Sequence, residues 1–225
     1  MTEPGTVASG RVVSVNVGRA RPNRATAGGV SGIDKRPVDG PVPVRAPAAR
    51  GVGGLAGDTI ISARHHGGAD QALYAYARED LDAWSAELGR PLPPGSFGDN
   101  LTTAGVEVTG AVIGSRWQVG EVLLQVTLPR LPCRTFAAWM DEPAWIRRFT
   151  DRAAPGTYLR VLTPGAVAAG DPVAVVHRPA HGVTIGAAFR ALLTEPDLLP
   201  HVLTAGDDLP AKLHDRLRRR LRPTG

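Results

Sequence analysis

Val122-Leu123-Leu124-Gln125-Val126-Thr127-Leu128-Pro129-Arg130-Leu131-Pro132-Cys133-Arg134 decides how the rest of the chain is read. Val122, Leu124, Val126 and Leu128 alternate with Leu123, Gln125 and Thr127, the period of a β-strand with one buried face. Pro129 has no N–H to donate and ends the ladder. Pro132 stiffens the chain again just before Cys133, the only cysteine. Arg130 and Arg134 flank it, and Thr135 to Met140 can form a helical turn. A free thiol ionises near pH 8.5, so only a few per cent is thiolate at neutral pH. Adjacent guanidiniums and a helix N-terminus favour the thiolate. A lone cysteine is more often a small buried hydrophobe, but the rigid, basic setting here argues for a presented sulfur.

Outward from that strand, the pattern stays β. Arg116–Val119 precedes it across Gly120-Glu121, a two-residue hairpin turn, and 106–128 reads as β throughout. Residues 11–17, 32–38, 41–44, 58–64, 158–162 and 172–176 are further short strands, punctuated by Gly and Pro. Helices are expected at Arg78–Leu88, stopped by Gly89, and at Pro143–Thr150, with Asp141 as N-cap. A helical turn is expected over Ala69–Tyr76, after His65-His66-Gly67-Gly68. Those glycines permit positive φ or a close backbone approach to a ligand, and a Gly-rich turn before a helix can hold an anion. From 181 the character becomes helical: Thr184 caps a helix to Leu193. Leu209, Leu213, Leu217 and Leu221 then repeat every four residues. The fold class is α+β, mainly β with helices: a folded β-domain over 1–180 and a helical tail over 181–225.

Composition bounds function. The 225 residues with 43% apolar content support one domain with a proper core and a small appendage. One cysteine excludes an internal disulfide framework and suits a reducing cytoplasm. No secretory leader or membrane-length apolar run is legible. The net charge of +5 is scattered, apart from arginines near the C-terminus, and aromatics are 5%. No nucleic-acid or membrane partner is expected.

The ordered set Ser31-Gly32-Ile33-Asp34-Lys35-Arg36-Pro37-Val38, Gly57-Asp58, His65-His66-Gly67-Gly68, Tyr74-Ala75-Tyr76, Phe97-Gly98-Asp99-Asn100-Leu101, Gly120-Glu121, Pro129 to Cys133, Tyr158-Leu159-Arg160-Val161 and Ala169-Gly170-Asp171 resembles the MOSC domain family, and within it the stand-alone bacterial YiiM-type branch. Ala69, Asp99 and Leu128 depart from the usual Pro, Glu and Gln. The resemblance implies a distorted β-barrel of the pyruvate-kinase type that binds molybdenum cofactor (molybdopterin), with Cys133 as catalytic residue and metal ligand. Lys35, Arg36, Arg130, His65, His66, Gly67 and Gly68 are then the candidates for the pterin phosphate, and Asn100 for the pterin or an oxo group. It further implies reduction of N-hydroxylated bases such as N-hydroxylaminopurine, a detoxification. With no Cys set for an iron–sulfur cluster and no dinucleotide fingerprint, electrons must come from a separate donor protein. The resemblance also allows a homodimer. Two alternatives stay open: a Cys133 persulfide sulfur carrier without molybdenum, and a non-enzymatic module that binds cofactor or an acidic partner. The second predicts that truncation near Val183 leaves the barrel folded.

Overall fold

The computed structural model describes residues 9–26, 28–61 and 66–221. Ten strands are described: β1 (Ser9–Pro22), β2 (Val30–Pro37), β3 (Val42–Val44), β4 (Leu73–Ala77), β5 (Leu101–Ala104), β6 (Arg116–Val119), β7 (Val122–Pro129), β8 (Thr157–Thr163), β9 (Gly165–Val167) and β10 (Pro172–His177). With them come α1 (Arg78–Leu88), α2 (Arg134–Met140), α3 (Trp145–Arg152), α4 (Ile185–Leu193), α5 (Leu199–Leu203) and α6 (Ala211–Leu221). Strand and helix contents are about equal.

Seven strands close a barrel in the order β10-β6-β7-β8-β4-β5-β1, with β1 pairing back onto β10. The length of β1 makes this possible. Its start pairs with β10, its middle with β5, and its far end with β2, which projects beyond the barrel wall. Among the described strands only β4 and β5 run parallel, and α1 supplies the crossover that parallel neighbours need. Register shifts in β1, β7 and β10 mark bulges, which bend the wall and distort the barrel.

The expected strand β7 and its hairpin with β6 are present, and Gly120 has φ 54° as a tight hairpin turn requires. The Tyr74-Ala75-Tyr76 segment is not a helical turn. Only Ala69–Gln71 forms a single 3-10 turn, and Leu73–Ala77 is a strand with all five residues buried between β8 and β5. Alternating tyrosines fit such a doubly covered strand, and tertiary pairing overrides the helix propensity of the alanines. Residues 105–115 are turns and bridges, not strand. Asp141 does not cap α3. It sits at φ 52°, closing α2 in the left-handed conformation that Asp tolerates. The expected strand at 58–64 is absent over 58–61, and its remainder lies outside the described residues.

Trp84, Phe97, Phe136, Trp145 and Phe149, all fully buried, join α1, α2 and α3 to the loop before β5. Phe97 is their hub, 5.1 Å from Phe136 and 5.6 Å from Trp145 between ring centroids. The helices after residue 181 share one continuous core with the barrel. Phe189 of α4 meets Phe149 at 6.1 Å, and Ile113 N–H donates to the Val183 carbonyl at 2.9 Å. No described helix is long and apolar enough to cross a membrane.

Candidate functional site

β7 ends at Pro129, and the next four residues deliver Cys133 as the N-cap residue of α2, with φ −143° and ψ 167°. Its carbonyl accepts the Ala137 N–H at 3.0 Å, so the backbone is tied into the helix while the thiol stays half-buried. Arg130 lies behind it, only 6% exposed. Its guanidinium donates to the Phe97 carbonyl and sits 4.2 Å from the Phe136 ring centre and 5.0 Å from that of Tyr74. Phe136 belongs to the first turn of α2, so one short helix positions both the cysteine and a ring face of Arg130. Burial would lower the Arg130 pKa, but Tyr74, Tyr158 and Cys133, each acting through its ionised form, set it above its ordinary value, so the guanidinium stays charged. Burial pushes Tyr158 up, and Tyr74 well up, so both phenols stay neutral. Arg134 is exposed on α2. Of the two arginines flanking Cys133 in sequence, only Arg130 is buried.

A second arm comes from β2 and the loop before β5. Lys35 Nζ meets Asp58 Oδ2 at 2.6 Å, with the side chains 10% and 1% exposed. Asn100 Nδ2 donates to the same oxygen at 2.9 Å, while Gly18 N–H donates to Asp58 Oδ1 at 2.7 Å. Asn100 Oδ1 in turn accepts the Tyr74 N–H at 3.1 Å, which fastens the network to β4. Burial lowers the Lys35 pKa, opposed by Asp58 and Asp99, and Arg130 adds to the lowering. Lys35 and Arg130 are therefore electrostatic neighbours. Beneath them Asp99 accepts Thr102 Oγ1 at 2.5 Å and the Gly95 and Phe97 N–H groups at 3.3 Å. Its burial raises its pKa, and these three hydrogen bonds oppose that.

The fold brings Lys35, Asn100, Arg130 and Cys133 into one connected region. Arg36 goes elsewhere. Neighbours on a strand point to opposite faces, and Arg36 Nε meets Asp34 Oδ1 at 2.5 Å, with Arg21 on that carboxylate's other oxygen at 2.8 Å. Gly67 and Gly68 have φ 76° and 87°. A Cβ on Gly67 would stand 2.7 Å from the Val52 carbonyl oxygen, so the close approach is to the protein's own loop. The His66 carbonyl accepts the Gly51 N–H at 3.3 Å in that same packing. His65 lies outside the described residues. Asp58, Tyr74, Tyr158 and Asn16, whose Nδ2 donates to the Asp99 carbonyl at 3.1 Å, carry the network, and no local sequence pattern assigns them a role. A buried lone lysine demands a carboxylate, and Asp58 after Gly57 was the available signal.

Arg130 is a permanent, buried cation with no carboxylate partner among the described residues; a carbonyl and ring faces surround it. Such a charge calls for an anion. Among the described residues no three His, Cys, Asp or Glu side chains group as a metal site. A metal here would take one sulfur from the protein and its other donors from a cofactor. One soft thiol beside buried cations fits an anionic, sulfur-ligated molybdenum group.

Comparison with known proteins follows the same lines. The MOSC domain family matches residues 62–174. YflK of Bacillus subtilis is 32% identical over 134 residues, covering 60% of this chain and 61% of that protein. A protein of Gibberella moniliformis named a reductase is 30% identical over 175 residues, 76% of this chain but 30% of that protein. The chain thus spans less than two thirds of these curated relatives. The crystal structure of YiiM from Geobacillus stearothermophilus superposes with a TM-score of 0.77 at 27% identity, over 95% of this chain and 100% of that one.

Proposed function

The chain belongs to the MOSC domain family, and we propose that it binds molybdenum cofactor through Cys133 and reduces N-hydroxylated compounds such as N-hydroxylaminopurine. The observation that carries this reading is the buried Arg130 guanidinium, unpaired with any described carboxylate, beside a half-buried thiol. The relative named a reductase supports the reaction class.

In this reading Cys133 gives up its proton to ligate the metal through Sγ. Arg130 and the Lys35 ammonium hold the cofactor's anionic parts, and Asn100 fixes Asp58 so that Lys35 stays oriented. When bound, the cofactor would supply a redox-active metal able to take oxygen from nitrogen. The overall change breaks the N–O bond and consumes two electrons and two protons, giving an amine and water. The electrons come from a separate donor protein, because one cysteine cannot hold an iron–sulfur cluster.

The test is an anaerobic assay with protein from a cofactor-making host, an artificial reductant and an N-hydroxylated purine. Wild type is expected to turn over and Cys133→Ser to fall to background. Equal rates in both would overturn the role of Cys133. Sulfane sulfur on Cys133 with no molybdenum would establish the persulfide-carrier alternative instead.

A further inference from the structure

Helix α6 carries Lys212, Arg216 and Arg220 at four-residue spacing, which places them on one face. Leu213 and Leu217, on the adjoining face, are buried. The basic face adjoins the turn that opens at Gly68. Lys212 Nζ donates to Gln71 Oε1 at 3.2 Å. Arg50 lies along Gly68, whose Cβ, if present, would stand 3.6 Å from the Arg50 Cα and Cγ. These cations feel one another. Burial lowers the Lys212 pKa, and Arg50 and Arg216 lower it further. The one carboxylate acting on Lys212, Asp70, is engaged by Arg160, whose Nε donates to Asp70 Oδ1 at 3.0 Å. None of Arg50, Lys212 and Arg216 ion-pairs with a carboxylate among the described residues.

We infer that Arg50, Lys212 and Arg216 form a seat for the phosphate monoester of a small ligand, between the loop at 50–54 and α6. Three exposed cations around one turn, none in an ion pair among the described residues, suit a dianion with several acceptor oxygens. The seat leads toward the Cys133 region. The Asp70 carbonyl accepts Thr127 Oγ1 at 2.7 Å, and that hydroxyl also lies 2.9 Å from the Tyr158 carbonyl. Tyr158 is one of the groups around Arg130 and Cys133. Two sources share this chemistry: the phosphate of a nucleotide-form substrate and the phosphate of the cofactor. None of the three cations is among the residues described around Cys133, so phosphate binding to the seat can be measured without molybdenum.

The test is calorimetric titration of the full chain with adenosine 5′-monophosphate, inorganic phosphate and adenosine at fixed ionic strength. The two phosphates are expected to bind and adenosine not to. Lys212→Gln and Arg216→Gln should each weaken binding about tenfold, the scale of one lost charge-assisted hydrogen bond. Lys212→Arg should keep it, and Arg147→Gln, an exposed arginine on α3, should change nothing. If the helix variants melt early, Arg50→Gln on the loop carries the same expectation. Cofactor loading that leaves nucleotide affinity intact assigns the seat to substrate. Loading that blocks it, with cofactor lost in Lys212→Gln, assigns it to the cofactor. Absence of phosphate binding to wild type, or equal weakening by Arg147→Gln, would overturn the seat whatever the molybdenum content.

Discussion

Asp58 accepts from Lys35 at 2.6 Å, Asn100 at 2.9 Å and the Gly18 N–H at 2.7 Å, so one carboxylate holds three segments together. Asp58→Asn leaves the Lys35 ammonium buried and unpaired, which should cost about 3–5 kcal/mol in urea denaturation. The paired replacement Lys35→Met with Asp58→Leu removes both charges and should recover most of that loss. If the pair serves a cofactor rather than stability, the double variant stays folded but loses cofactor. Asp80 offers a test of sign. Burial, then Glu107, raises its pKa from 3.8 to about 6. The folded state thus binds this proton more tightly than the unfolded one. Its contribution to stability is full below about pH 3.8 and is lost as pH climbs past about 6. Asp80→Asn should stabilise the protein by about 1–2 kcal/mol at pH 8, discounted for partial solvation, and by little near pH 3.5. An unchanged urea midpoint at pH 8 would contradict the partly buried placement. At this scale the sequence was partly legible. Cys133 stood out as a lone cysteine between prolines and arginines. Arg36 could have been separated from Lys35 by strand alternation alone. The ring faces of Phe136 and Tyr74 around Arg130 are tertiary, and no local pattern announces them.

Elements were readable where the pattern is local and one-sided. The β6–β7 hairpin declares itself through alternation and Gly120, and α1 through its apolar face and Gly89 at φ 63°. Thr184 before α4 was equally plain, and its hydroxyl accepts the Ala187 N–H at 3.1 Å. Thr184→Ala should lower stability by about 1 kcal/mol with the fold unchanged. A loss several times larger would mean that the hydroxyl holds more than the helix end. Gln71-Ala72-Leu73-Tyr74-Ala75-Tyr76 has helix-permissive residues and reads locally as helix, and only pairing with β8 and β5 makes Leu73–Ala77 a strand. Asp141 suits either end of a helix by residue type, and here it closes α2 before α3 begins.

Across the whole molecule, the helical tail completes the core. Val183, Ile185, Ala188, Phe189, Leu192, Val202 and Leu217 are all buried, and backbone bonds from Ile185 and Gly186 reach Ala111 and Thr109. Each large apolar side chain left uncovered costs about 1.5–3 kcal/mol, so several together exceed the stability of an ordinary domain. Truncation after Val183 should therefore give aggregation or loss of cooperative melting. A truncated chain that melts cooperatively near the full-length temperature would show a barrel independent of its tail. The closure of seven strands through β1 could not be read from sequence, because a single strand serving three partners leaves no periodic trace. Molybdenum and pterin content, measured on wild type and Cys133→Ser from a cofactor-making host, tests the central claim most directly. About one molybdenum and one pterin per wild-type chain, with molybdenum nearly absent from Cys133→Ser, is the predicted result. Wild type without molybdenum, or the two proteins carrying it equally, would contradict it.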